Sequence, residues 1–367
     1  MRTALRNLAI LLLMTTGISG CANQQQIEPS PGKLASKSAA KSNQSAANDS
    51  SAQTSLAITT DDHSFKRDHW VFEMSSEQWI EGDLITTRHY QIFSTIRDDQ
   101  ILARLPQFYE AAMRNYTTAI TDLPTPTQPL ITYLFQYRNE WLAKTRQVVP
   151  EQADMFATLG RGGFTTRSTA ILYYIDWNRS TRDTFAIAAH EGWHQYTQRV
   201  FKDPLPVWLE EGIATYMEGY RLSAGEITFD PAANRERREE LRRAVRENRL
   251  LGLQDVLTGL PQSYLSNGKN KLLVYYAQVW ALTRFLMEGE KGKYRSGLQD
   301  LLQDAVAGTL SDHLSRSGMN KSAADRRSTT HWSTRIGPAV AAEYFNSDLA
   351  AMENEYRTFV DTLVQNQ

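Results

Sequence analysis

Two histidines four residues apart, His190 and His194, stand in the stretch FAIAAHEGWHQYTQ (185–198), with Glu191 directly after the first. On a helix of 3.6 residues per turn, positions four apart lie about 40° apart around the axis, so both imidazoles can aim at one point. This is the H-E-x-x-H arrangement: two neutral imidazoles hold a metal ion and the carboxylate between them acts as a general base toward water. Imidazole donors suit Zn²⁺. A zinc site with three protein ligands keeps one position open for water, whose pKa the ion lowers to about 7. The bland alternative is two histidines hydrogen-bonded in a core. The apolar lead-in TFAIAA (184–189) counts against it, because a buried helix leaves both imidazoles in need of partners.

A third ligand separates the two readings. Downstream, PLPVWLEEGIATYMEGY (204–220) sets Glu210 and Glu211 between apolar VWL and GIATYM on a second expected helix. Here the chain resembles the gluzincin metallopeptidases, in which H-E-x-x-H is followed by a helix reading W-L-x-E-G-x-A. Trp208, Leu209, Glu211, Gly212 and Ala214 match that pattern. The resemblance implies Glu211 as the third zinc ligand and Glu210 as the variable position, with sixteen residues between His194 and Glu211.

The same resemblance implies three further features. Glu218, seven residues after Glu211 on nearly the same face, would orient a ligating histidine; a surface ion-pair role is the other reading. Tyr276, on LVYYAQVWALTRFLM (273–287), aligns with a tyrosine whose phenol stabilises the developing oxyanion. Tyr275 is the competing choice, and plain core packing is the bland reading of both. The strand TAILYYID (169–176), just before the histidine helix, takes the place of the edge strand on which zincins pair an extended substrate. The Gly-Ala-Met-Glu-Asn segment of aminopeptidases is absent, and GRGGF (160–164) offers no carboxylate, so endopeptidase action is expected. Taken over 84–365, the likeness is to peptidase-MA-like bacterial lipoproteins.

The N-terminus supports that last point. MRTALRNLAILLLMTTGISGC has Arg2 and Arg6, an apolar run from Leu8 to Met14, and small residues up to Cys21. This is the layout of a secretory signal peptide (1–20), too short in its apolar core for the roughly 20 residues that span a bilayer. Ile18 to Cys21 resembles a lipobox, which implies lipidation of Cys21 and a membrane partner reached through its acyl chains. Ala22 rather than Asp follows, which points to the outer membrane, facing the periplasm of a bacterial cell envelope. Residues 21–61, rich in Ser, Ala, Gln, Asn and Lys, are expected to form a disordered tether. Cys21 is the single cysteine, so no intrachain disulfide can form.

With 367 residues, 41% of them hydrophobic, the chain can build one large domain or two packed subdomains. A net charge of -1 leaves no basic footprint, so nucleic acid is not an expected partner. Strands are expected at 83–95, 130–137 and 169–176, with a helix at 98–120 that Pro106 either weakens or kinks. Helices are expected at 181–200, 206–219, 232–249, 271–288, 294–306 and 347–365, and the polar segment 315–335 as a mobile loop. The helix at 234–250 carries seven Arg against four Glu and is expected to be a solvated face with pairs such as Glu239 with Arg243. The expected fold is α+β and zincin-like: a strand-containing N-terminal subdomain (62–180), then a helical subdomain (181–367) with the zinc site. The expected function is zinc-dependent hydrolysis of peptide or protein substrates in the envelope, with Glu191 as general base. The rival is a non-catalytic envelope binding or assembly lipoprotein with a structural or vestigial zinc site. Structural sites usually have four protein ligands, which disfavours it.

Overall fold

In the computed structural model, which describes residues 64–157, 162–175, 182–223, 225–266, 269–322, 324–325 and 328–365, the first half of the chain builds a six-stranded sheet. The expected signal peptide, tether and Cys21 lie outside the described residues. Strands β1 (Lys66–Ser75) and β2 (Gln78–Thr86) form an antiparallel hairpin, and β3 (Tyr90–Ser94) continues antiparallel to β2. Helix α1 (Asp99–Thr118) is the crossover that lets β4 (Leu130–Phe135) lie parallel to β3. Asp98 caps α1 by accepting from the backbone N–H of Gln100 and Ile101, and the helix runs on through Pro106. After α2 (Arg138–Val148) and α3 (Ala153–Ala157) come β5 (Gly163–Thr166) and β6 (Thr169–Tyr173), giving the order β1-β2-β3-β4-β6-β5.

Two strand expectations change. The single strand at 83–95 is two, because Thr87 turns the chain: its N–H bonds the Tyr90 carbonyl and its hydroxyl accepts from the Tyr90 N–H. The strand at 169–173 is interior, and the edge beside it is β5, which pairs only with β6 among the described residues. The two-residue turn between them holds Arg167 and Ser168 at φ 48° and 57°, where Gly or Asn would be usual, so no turn signal shows in the residue types.

Strand alternation splits the sheet into two faces. Tyr90 meets α1 through the Tyr109 ring at 4.9 Å, and Thr132 meets the helix Arg182–Val200 of the second half through a hydrogen bond to Gln195. Tyr133 and Tyr173 meet α2, under Lys144 and beside Trp141.

The second half is helical. It comprises α4 (Arg182–Val200), α5 (Val207–Met217), a small hairpin of β7 (Tyr220–Ser223) and β8 (Glu226–Phe229), α6 (Arg235–Arg246), α7 (Leu253–Thr258) and α8 (Pro261–Ser266). Then follow α9 (Lys269–Glu288), α10 (Arg295–Ala307), α11 (Leu310–Arg316), α12 (Thr329–Arg335), α13 (Gly337–Tyr344) and α14 (Leu349–Gln365). The expected loop at 315–335 therefore contains a helix. Its polar residues bond one another: buried Asp325 accepts from the Ser322 N–H and meets His331 and Arg335. Helix α9 is apolar nearly all round, with Val274, Val279, Trp280, Leu282, Phe285 and Leu286 buried, so it runs through the core of this half. The architecture is mixed α+β, an N-terminal sheet followed by C-terminal helices. No described helix is long and apolar enough to cross a membrane.

Candidate metal centre

The histidine helix α4 is pressed against α1. A Cβ on Gly192 would lie 2.4 Å from the Tyr116 hydroxyl oxygen, so the glycine permits this approach. That hydroxyl donates to the Ala189 carbonyl at 2.7 Å, fixing the turn that presents His190. Glycine serves the same end on α5: a Cβ on Gly212 would meet the Thr283 hydroxyl oxygen at 2.5 Å and the Val279 carbonyl oxygen at 2.9 Å, both on α9. The two glycines thus let α4 pack on α1 and α5 pack on α9.

His190, His194 and Glu211 come together. Their ligand atoms lie within 4.8 Å of one another, and the residues are 0%, 2% and 0% exposed. Glu211 Oε2 is 3.4 Å from His190 Nε2 and 3.9 Å from His194 Nε2. Each imidazole turns its other nitrogen to a carboxylate: His190 Nδ1 lies 2.8 Å from Glu218 Oε1, and His194 Nδ1 lies 2.9 Å from Glu210 Oε1. With Nδ1–H donating to those acceptors, the Nε2 lone pairs both face Glu211, the tautomer a metal ligand needs.

Among the described residues His190 Nε2 and both carboxylate oxygens of Glu211 are buried without a hydrogen-bond partner. Burying three such atoms is costly, and one cation between them satisfies all three. This group could hold a metal ion.

Glu191 faces a different neighbour. Its Oε2 accepts from the Thr165 hydroxyl of β5 at 2.8 Å, and the same hydroxyl lies 3.0 Å from the Glu191 backbone carbonyl. Burial raises the Glu191 pKa, partly offset by the two histidines and Thr165. A raised carboxylate suits a group that must take up a proton and give it back.

Glu218 lies buried, not at the surface. Arg237 forks onto it, Nε to Oε2 at 3.0 Å and Nη2 to Oε1 at 2.8 Å, and Asn234 adds a hydrogen bond at 2.7 Å. Burial by itself would raise its pKa, but Arg237 and His190 bring it down to about 2.

Arg237 also corrects the reading of α6 as a solvated face, since it is 3% exposed. The outer pairs of that helix are real but three apart, Glu239 with Arg242 and Glu240 with Arg243. Glu210 is not a silent position either, because it holds His194 and accepts from the Thr197 hydroxyl at 2.6 Å.

Tyr276 stands edge-on to His190 with ring centroids 6.3 Å apart, while the Tyr275 hydroxyl is 3.5 Å from the Gly259 carbonyl oxygen, toward α8. Both tyrosines are fully buried, and their pKa values are raised by burial and then by the Glu211 charge. The arrangement thus combines a three-donor cation site, a buried carboxylate beside it and a phenol ring against one donor. No protein-family model matches the chain, and no curated protein matches it.

Proposed function

We propose that this chain is a zinc metallopeptidase of gluzincin type with a zincin-like fold, acting as an endopeptidase in a bacterial cell envelope. One observation carries the reading. Two imidazoles from an H-E-x-x-H helix and a carboxylate from the next helix converge, buried, with unpartnered donor atoms facing one another. Two nitrogens and one oxygen form a donor set that zinc accepts while keeping a coordination position open. When bound there, zinc supplies a Lewis acid that lowers the pKa of water to about 7.

The chain's own residues supply the rest. Glu191 takes the proton from the attacking water and passes it to the leaving amine. Thr165 holds its Oε2 during the first of these steps and can turn its hydroxyl to the Glu191 carbonyl once the acid is formed. Tyr276 offers a phenol O–H to the developing oxyanion. An extended peptide would add beside β5, the terminal strand of the sheet among the described residues, whose residues are buried and whose Thr165 ties the strand directly to the base. Unlike β1, with Lys66, Arg67, Asp68, His69 and Glu73, this edge (GFTT) carries no charge that would repel a pairing strand. Lipidation at Cys21 keeps the enzyme at the outer membrane.

Purified protein should hold about one zinc per chain by atomic emission. Glu191→Gln should keep the zinc and lose cleavage in an unbiased peptide-library profile; an unchanged rate in that variant sinks the mechanism. The second reading, a non-catalytic envelope lipoprotein with a structural ion, is favoured by the near-zero exposure of all three ligands. Zinc-loaded wild type that cleaves nothing in the same profile decides for it.

A further inference from the structure

Among the seven arginines at 234–250 Arg237 alone is buried, and hydrolysis as derived above does not use it. Its guanidinium meets two things. Its edge forks onto both oxygens of Glu218, and its Cζ lies 5.1 Å from the ring centroid of Tyr276. Glu218 in turn holds His190 Nδ1, and the Tyr276 ring stands against His190. The four side chains therefore close a circuit, His190 to Glu218 to Arg237 to Tyr276 and back to His190. They come from α4, the residue after α5, α6 and α9, so no two share an element.

A carboxylate at this depth is tolerable only with a countercharge and filled lone pairs. Asn234 and the two guanidinium N–H groups fill them, leaving the remaining direction of Oε1 for His190. The planar fork also fixes the carboxylate's rotation, which a single ammonium donor would not.

We propose that Arg237 is a positioning residue of the metal centre, aligning the ligand His190 through Glu218, with the ring of Tyr276 as its backing independently of the phenol hydroxyl. The proposal rests on the metal-binding part of the reading above and not on hydrolysis. It assigns Tyr276 two separable duties, one for the ring and one for the O–H.

The test is zinc affinity by competition with a chromophoric chelator, alongside thermal unfolding of the zinc-free proteins. Loss of an outer partner of a ligating histidine costs about ten- to a hundredfold in metal affinity. Arg237→Lys should show that loss. So should the paired variant Glu218→Gln with Arg237→Met, which removes both buried charges together and so leaves no stranded ion to unfold the protein. Tyr276→Phe should bind zinc as wild type does, and Tyr276→Leu should bind it more weakly. If Arg237→Lys and the paired variant bind zinc as tightly as wild type, the proposal is overturned and Arg237 serves only folding. Equal affinity in the Phe and Leu variants removes the backing role of the ring. Wild type that binds no zinc overturns the metal reading itself, a result distinguishable from both.

Discussion

At the scale of single residues, His190 ties proton and metal together. Burial by itself would lower its pKa, but Glu211 and Glu218 outweigh this and raise it to about 9 in the metal-free site. The stability this proton contributes is therefore complete below the ordinary value of 6.5 and disappears as pH rises through about 9. A zinc ion needs the Nε2 lone pair that the proton occupies, so uptake at pH 7 should release about one proton per ion. Calorimetric titration in buffers of different ionisation enthalpy measures that number, and a count near zero contradicts the assignment of His190. Affinity should climb with pH until about 9 and then level off. His190, Glu191 and His194 were legible from spacing, because one helix fixes their relative directions, and Glu211 from the resemblance of its WLEEGIA stretch to a metallopeptidase pattern. Thr165, Glu210 and Arg237 were not. Thr165 and Arg237 reach the site from distant elements, β5 and α6, and Glu210 turns to His194 only because α5 packs on α4.

At the scale of elements, the glycine in WLEEG has a mechanical role. Helices α5 and α9 approach so closely at Gly212 that an added methyl must displace the Val279 backbone carbonyl as well as the Thr283 hydroxyl. Gly212→Ala should cost about 1–3 kcal/mol in a urea titration. It should also weaken zinc binding, since Glu211 is the neighbouring residue on the displaced helix. A loss of stability without any loss of zinc affinity would separate the packing from the site.

The long helices were readable because their apolar residues recur with a period near 3.6. The β5–β6 hairpin hid because its strand is four residues long and its turn uses Arg167 and Ser168 in the left-handed region. Those two cost about 1–2 kcal/mol each in isolation. Helix α4 holds the turn with Gln198 accepting from the Ser168 N–H and Gln195 donating to the Ser168 carbonyl. The helix that carries Glu191 therefore also sets where β5 lies.

For the whole molecule, an ion held by His190, His194 and Glu211 would tie α4 to α5. Zinc at a thousand times its dissociation constant should add about 4 kcal/mol to the folded state. Chelation should therefore lower the unfolding temperature by several degrees in a calorimetric scan, whereas the triple variant His190→Ala, His194→Ala, Glu211→Ala should show no zinc-dependent shift.

The depth of the three ligands, 0–2% exposed, has a further effect on timing. The protein side of an ion held there is closed off by α4 and α5, so a chelator, like a substrate, reaches it only through the coordination position that three ligands leave open. Zinc loss should then speed up with the concentration of a small chelator and stay slow with one too bulky for the position a substrate uses. Loading follows the same route in reverse, so metal-free protein that has already folded takes up zinc without unfolding.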